Sequence, residues 1–211
     1  MKRLLPLRDY DDHDVINLFA VTTPNSSVLD TGNGDSGVIV AVSNGEITED
    51  AVTLVSASYL GKTDYPYVGR DYYPTVSLTV APAGTGSNPI GITLYETAMY
   101  DENGEKLIYY RQKALENQIT LSGQAVPVAT KGLFTLDQTA FVGGVAPAAG
   151  AKLVVGSGSG KFDVLGASGA GTTVYGSVLA TGARVAGNTT DAYAGAAGST
   201  GTYAIVRINF N

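Results

Sequence analysis

The stretch NPIGITLYETAMYDENGEKLIYYRQKALENQITLSGQAVPVATKGLFTL, residues 88–136, decides the fold. It contains runs of β-branched and aromatic residues, which are typical of strands. Asn103-Gly104 within it is the strongest short-range signal for a hairpin turn, because both residues tolerate a positive φ. The flanking runs 90–100 and 107–110 are predicted to be the strands of that hairpin. The stretch therefore predicts a β-rich protein.

The same stretch holds the only convincing helical segment, RQKALENQ at residues 111–118. It is too short to be stable by itself, so it needs a sheet to pack against. Residues 119–121 then return to a strand pattern. We expect an all-β fold, mainly antiparallel, with at most one or two short helices.

The composition changes at residue 122, and this change predicts separate parts. Of the 19 Asp and Glu residues, 17 lie at or before Asp137, while Gly-rich links and short apolar runs dominate beyond it. Short strands separated by turn residues are typical of a small barrel or sandwich. We predict an extended N-terminal arm at residues 1–14, an acidic, Tyr-rich β-sandwich or barrel-like domain at 15–121, and a Gly-rich β-barrel at 122–211.

Other strands are predicted from apolar or alternating runs on both sides of that boundary. In the last one, TYAIVRINFN, the alternation places Ala204, Val206 and Ile208 on a core face and Arg207 and Asn209 on the opposite face. Residues 30–37 and 43–50 are predicted to be turns. The further predicted strands are residues 15–22, 38–42, 51–59, 75–81, 125–128, 133–136, 152–155, 162–165, 174–179 and 203–210.

Composition excludes several classes of protein. The 211 residues are 44% hydrophobic and 15% charged, with no cysteine, so disulfides and thiolate chemistry are absent. The net charge of −6 and the lack of Lys/Arg runs argue against nucleic acid as a partner. No run reaches the roughly 18 apolar residues of a membrane helix, and residues 1–14 lack the apolar core of a secretory signal. We expect synthesis in a cytoplasm and no membrane partner.

The chain offers no motif for catalysis, a cofactor or a metal. The acidic cluster at residues 9–14 is interpreted as a solvated turn that caps the next segment, and His13 in it as a hydrogen-bonded structural residue. Asp101 and Glu102 are expected to point to opposite faces of a hairpin tip. GSGSGK at residues 156–161 has neither the spacing nor the following Ser or Thr of a phosphate-binding loop. We predict no catalytic, cofactor-binding or metal-ligating residue, and no enzymatic activity.

Leucine and tyrosine side chains are the candidates for contacts with a partner. An extended arm can add a strand to the sheet edge of a neighbour, and Tyr rings combine an apolar body with a wet hydroxyl. The Tyr-rich loop of residues 62–74 either faces a partner or covers the sheet of its own chain. The candidate interface residues are Leu4, Leu5, Leu7, Tyr10, Tyr65, Tyr67, Tyr72 and Tyr73.

Residues 88–136, together with DDHDVINLFAV at residues 11–21, resemble a virion structural protein of tailed phages. The Gly-spaced strands beyond, with the elements at residues 149–153 and YGSVL at 175–179, are similar to the small β-barrels of capsid decoration (cement) proteins. The resemblance implies a non-enzymatic protein that binds the exterior of the capsid and stabilises it. It implies the major capsid protein and further copies of the same chain, as a trimer or dimer, as partners.

Two other classes remain open from the sequence. A tail, fibre or surface adhesion module that recognises a host glycan or protein would suit the Gly-rich half and the Tyr loops, although no regular repeat or coiled coil is present. A glycan hydrolase would need two carboxylates roughly 5–10 Å apart in a cleft. No motif places such a pair.

Overall fold

The computed structural model describes residues 3–46, 76, 78–157, 160–183 and 201–210. The fold is all-β and mainly antiparallel, which confirms the predicted class. The strands are β1 (Leu4–Asp9), β2 (Val15–Ile16), β3 (Ala20–Val21), β4 (Asn25–Ser27), β5 (Ile39–Asn44), β6 (Thr79–Pro82), β7 (Pro89–Thr93), β8 (Glu96–Tyr100), β9 (Ile119–Leu121), β10 (Val128–Ala129), β11 (Lys131–Asp137), β12 (Lys152–Val155), β13 (Phe162–Val164), β14 (Gly176–Ala183) and β15 (Thr202–Asn209).

These strands form three sheets in the described part of the chain. Sheet A has six strands in the order β1-β11-β15-β14-β12-β13, all antiparallel to their neighbours. Sheet B has six strands in the order β2-β10-β7-β5-β6-β3, and only its β3–β6 pair is parallel. Sheet C has three parallel strands in the order β4-β8-β9. Sheet A therefore joins the first strand to those of the Gly-rich half.

The predicted helix is present as α1 (Arg111–Glu116), and the short 3-10 helices of the described residues are Asp12–Asp14, Leu107–Tyr109, Gln138–Ala140 and Val142–Gly144. The turn at Asn103-Gly104 is also present, with a φ of +79° at Gly104. The strand predicted at residues 107–110 is wrong. Leu107 is 1% exposed and packs in a cluster with Ala98 and Ala114. Burial beside α1 outweighs the strand propensity of this segment.

Two runs predicted as single strands are each divided. Residues 90–100 supply β7 of sheet B and β8 of sheet C, and residues 15–22 supply β2 and β3. At the first division Leu94 is 3% exposed, and its N–H donates to the carbonyl of Pro127 over 2.9 Å. The chain turns there because Leu94 fills the core, so a continuous strand cannot form. The predicted strand at 51–59 lies outside the described residues.

The largest core cluster lies on the inner face of sheet A and draws residues from both sides of the predicted boundary at 121–122. Phe134, Phe141 and Phe162 are its largest members, and each is at most 1% exposed. Ile39 and Ile92 of sheet B are buried in the same cluster. Burying such side chains contributes about 1.5–3 kcal/mol each. This shared core packs sheets A and B against each other.

Within the extended N-terminal arm predicted at residues 1–14, residues 4–9 form strand β1 of the chain's own sheet. Leu4 pairs with Leu136 of β11, and its side chain is 2% exposed. Arg3 just before it is 5% exposed, with its Nε 3.5 Å from Oδ2 of Asp35 and its Nη2 3.1 Å from the carbonyl oxygen of Gly32. A buried guanidinium is stable only with such partners, so these contacts fix the N-terminal segment against the rest of the chain.

Asn25 extends the buried polar group around Arg3. Its side-chain nitrogen donates to Oδ1 of Asp35 over 2.9 Å, and its Oδ1 accepts the Gly34 N–H over 3.1 Å. A Cβ on Gly34 would lie 2.4 Å from the backbone nitrogen of Asn25, so only glycine allows this approach. The predicted turn at residues 30–37 is confirmed, and it is fixed to β4 and to the N-terminal segment.

Candidate interaction surfaces

The outer face of sheet A carries exposed charges at one end. In β15 the side chains of Ala204, Val206 and Ile208 are fully buried, whereas Arg207 and Asn209 are exposed. This alternation follows from the two-residue period of a strand. It confirms the assignment of these residues to two faces from the sequence.

Strand register aligns one outer-face row across five strands. Asp9 of β1 lies opposite Leu133 of β11, and Leu133 lies opposite Arg207 of β15. Arg207 is followed by Ser177 of β14 and then by Lys152 of β12. Because neighbouring strands are about 4.8 Å apart, Asp9 and Arg207 are about 10 Å apart across Leu133. The row is acidic at its β1 end and basic beyond its apolar centre.

A shallow groove of about 770 Å³ covers this end of sheet A. Lys131, Lys152 and Arg207 line it and are exposed, and none makes an ion pair closer than 4 Å in the described part of the chain. Tyr10 and Tyr175 also line the groove. Their rings stack on Phe134 at 5.8 Å and on Phe210 at 5.2 Å between centroids. Both rings pack against the core cluster, so the groove has fixed aromatic rings at its margin and, on the outer face, charges without an ion-pair partner in the described part of the chain.

The acidic side of the groove is an ordered turn. Asp11 caps the 3-10 helix Asp12–Asp14, because its carboxylate accepts the His13 backbone N–H over 2.9 Å. The same Oδ1 lies 2.8 Å from Nδ1 of His13. These two hydrogen bonds, and then the charge of Lys131, hold the pKa of Asp11 below its ordinary value. The interpretation of this cluster as a capping turn is supported, and His13 is hydrogen-bonded as expected.

The edges of sheet A are poor sites for adding a strand. β1 contains Pro6, which has no N–H to donate, and its pairing with β11 shifts register between Leu4 and Arg8. Proline and bulges on an edge strand prevent pairing with other sheets. At the opposite edge, Phe162 of β13 makes a bridge to Phe141. The end of the outer face that carries Asp9, Leu133 and Arg207 is therefore better suited to a partner than the edges of the sheet.

A second surface lies beside helix α1. A groove of about 350 Å³ is lined mainly by apolar side chains. Leu115 on its rim is 74% exposed, and Leu18, next to the lining residue Asn17, is 57% exposed. Ile119 at the base is 8% exposed. Other lining residues are Tyr95, Ala114, Leu121, Ala125 and Pro127.

Asp101 and Glu102 converge on one lysine, which corrects the expectation that they diverge. Nζ of Lys113 lies 2.7 Å from Oδ2 of Asp101 and 2.8 Å from Oε1 of Glu102. Asp101 also accepts the N–H groups of Asn103 and Glu105. The alternation assumed for a strand does not apply in this turn. Chiefly because of the hydrogen bonds to Lys113, the pKa values of both carboxyls are lowered, and that of Lys113 is raised.

The predicted interface residues have different positions. Leu4 is buried at 2% exposure, so its side chain is not offered to a partner in this conformation. Leu5 is half-buried, Leu7 is 68% exposed, and Tyr10 is half-buried in the groove of sheet A. The structure therefore does not bring the leucines and Tyr10 into one patch. The remaining candidates, Tyr65, Tyr67, Tyr72 and Tyr73, lie outside the described residues.

Sequence reasoning missed Leu133, Lys152 and Leu115 as surface residues of interest. Alternation within β11 offered a signal for Leu133, because Leu133 lies two residues after the exposed Lys131 and so on the same face of the strand. The exposure of Leu115 had a weaker signal, because Leu115 is an apolar residue beside Glu116 at the end of a short helix. Neither signal identified the neighbours on other strands.

No family model matches the chain, and neither a curated protein nor a solved structure matches it. Residues 3–46, 76, 78–157, 160–183 and 201–210 contain no group of three or more His, Cys, Asp or Glu side chains that could hold a metal ion. A helix able to span a membrane is likewise not found among these residues. The fold places the chain in the all-β class.

Proposed function

We propose that the chain is a non-enzymatic virion structural protein that binds the outer surface of a phage capsid and stabilises it. The observation that carries the proposal is the apolar groove beside α1, whose rim residue Leu115 is 74% exposed. An exposed leucine beside a concave apolar surface suits a protein partner, because burying it removes apolar area from water. The resemblance of residues 88–136 to virion proteins names the partner as the major capsid protein.

The function as a cement follows from the physics of such a contact. A protein that ties capsid subunits together needs a rigid body and contacts that form only in the assembled shell. The shared core of sheets A and B supplies a rigid body, and the α1 groove supplies an apolar contact. Binding to the assembled shell then stabilises it by mass action. We further propose that the protein acts on the virion exterior, together with other copies of itself.

Binding of the purified chain to empty mature heads tests this proposal. We expect saturable binding with a copy number fixed by the capsid symmetry, and heads that break at a higher temperature when loaded. Leu115→Glu is expected to weaken binding about tenfold or more, because it places a charge in a desolvated contact. Leu29 is 70% exposed and lies in the turn after β4, so Leu29→Glu is the matched control. Heads that bind no protein, or bind without saturation, would contradict the proposal.

A surface adhesion module is the alternative, and the aromatic lining of the sheet A groove favours it. Tyr10 and Tyr175 present half-buried rings beside carboxylates, an arrangement that can hold a sugar ring and its hydroxyls. Binding to an array of bacterial surface glycans, lost in Tyr175→Ala and kept in Tyr109→Ala, would support the alternative. Failure to bind any glycan would remove it.

A further inference from the structure

We propose that the outer face of sheet A is the contact surface for a second copy of this chain, in a two-fold dimer. The inference rests on the proposed function, which includes binding between copies of the chain. It identifies the surface through which two copies bind. The charge pattern of the face carries the argument, because a two-fold interface must be complementary to itself.

The pattern is centred on Leu133. Asp9 lies one strand away on one side of Leu133, and Arg207 lies one strand away on the other. Asp9 and Arg207 are both exposed, and neither makes an ion pair closer than 4 Å in the described part of the chain. Opposite unpaired charges are thus placed at equal distances from an apolar centre.

This symmetry fixes how two copies would meet. The faces of two sheets pack with their strands roughly aligned, about 10 Å apart. A two-fold axis between the faces, running along β11 over Leu133, places Leu133 against Leu133 of the second copy. The same rotation places Asp9 opposite Arg207 of the second copy, and Arg207 opposite Asp9. One symmetric contact therefore gives two ion pairs around an apolar centre.

The two-fold axis brings Lys131 close to Lys131 of the second copy. This approach of two like charges is the least favourable contact in the arrangement. Asp11 compensates for this approach, since its carboxylate already attracts Lys131 within one chain. Both copies bring an Asp11, so the two lysines meet two carboxylates. Lys152 lies three strands from Leu133, outside the pairs that the axis forms.

Charge reversal tests the arrangement with the purified full-length chain and without heads, by sedimentation velocity at low and high salt. We expect a wild-type dimer that weakens as salt rises. Asp9→Lys and Arg207→Glu should each weaken dimerisation about tenfold or more, because each places like charges opposite one another. An equimolar mixture of the two variants should form a heterodimer, and the double variant Asp9→Lys/Arg207→Glu should dimerise again. Lys152→Glu is the matched control and should leave the dimer intact.

Several outcomes would overturn the inference. They are a wild type that stays monomeric at about 0.1 mM, a trimer as the smallest assembly, and single variants that dimerise as well as the wild type. A mixture that does not rescue its components would also overturn it, since an effect within one chain cannot be repaired by a second chain. Leu133→Glu gives an independent check at the axis and should abolish the dimer. Head binding in Leu115→Glu and dimerisation in Arg207→Glu are separate measurements, so either proposal can fail alone.

Discussion

The two faces of sheet A are built from the same strands, but one is buried in the core and the other lines a groove. The inner face of β11 presents Phe134 and Leu136, both 0% exposed, to the core shared with sheet B. The outer face of the same strand presents Lys131 and the half-buried Leu133 to the groove. In the first half of β11, alternation separates the side chains that build the core from those that a partner can reach. Changes on the inner face should alter unfolding, and changes on the outer face should alter association.

The largest expected effect breaks the inner face. Phe134→Ala should reduce the free energy of unfolding by about 3–5 kcal/mol, because it removes a fully buried ring and leaves a cavity. Leu133→Ala, one residue away on the outer face, should cost under about 1 kcal/mol in a monomer. Denaturant unfolding of the two variants measures the contrast. Similar losses in both would mean that the outer face is also a core.

The next effect concerns the N-terminal segment at the sheet edge. Arg3→Ala should destabilise the chain by about 3 kcal/mol, because it leaves the buried Asp35 without its cation. Removing residues 1–14 should be still more damaging, since β1 is lost from sheet A. Arg8 is half-buried in β1, which begins directly after Arg3, so Arg8→Ala is the control and should cost less. Urea unfolding midpoints that are unchanged in Arg3→Ala would contradict this role.

The smallest effect separates paired charges from open ones. The lowered pKa values of Asp101 and Glu102 mean that their contribution to stability is present above their ordinary pKa, near pH 4, and lost as pH falls through the lower folded values. Lys113→Met should lower Tm at about pH 7, and the difference from wild type should shrink below about pH 4. Arg207→Glu, measured at a concentration at which the wild type is monomeric, should leave Tm nearly unchanged at about pH 7. A pH-independent effect of Lys113→Met would indicate lost packing and no electrostatic role.

Local pattern was sufficient to predict part of this architecture. The two faces of β15, helix α1 and the turn at Asn103-Gly104 follow from alternation, helix formers and positive φ, which are properties of neighbouring residues. The strand expected at 107–110 failed because Leu107 is captured by the cluster around Ala98 and Ala114. Packing between distant segments overrides propensity at such positions.

The interaction surfaces were less predictable for a related reason. Alternation placed Arg207 on an outer face, but the row it shares with Asp9 depends on pairing between segments at opposite ends of the sequence. Register between distant strands is set by turns and core fit, which one strand's pattern does not contain. The pairing of the N-terminal segment was not predictable for the same reason, because Leu4 and Arg3 find their partners in distant parts of the chain.

The position of β11 between β1 and β15 has a consequence for biosynthesis. The strand is flanked by the first and last strands of the described chain, so its pairing is complete only after residues 202–209 leave the ribosome. Until then one edge of β11 has unpaired N–H and C=O groups, and the ring of Phe134, which is buried in the folded chain, is exposed. Chains that stall before β15 should therefore aggregate or engage chaperones. Folding of the whole sheet therefore waits until β15 has been translated.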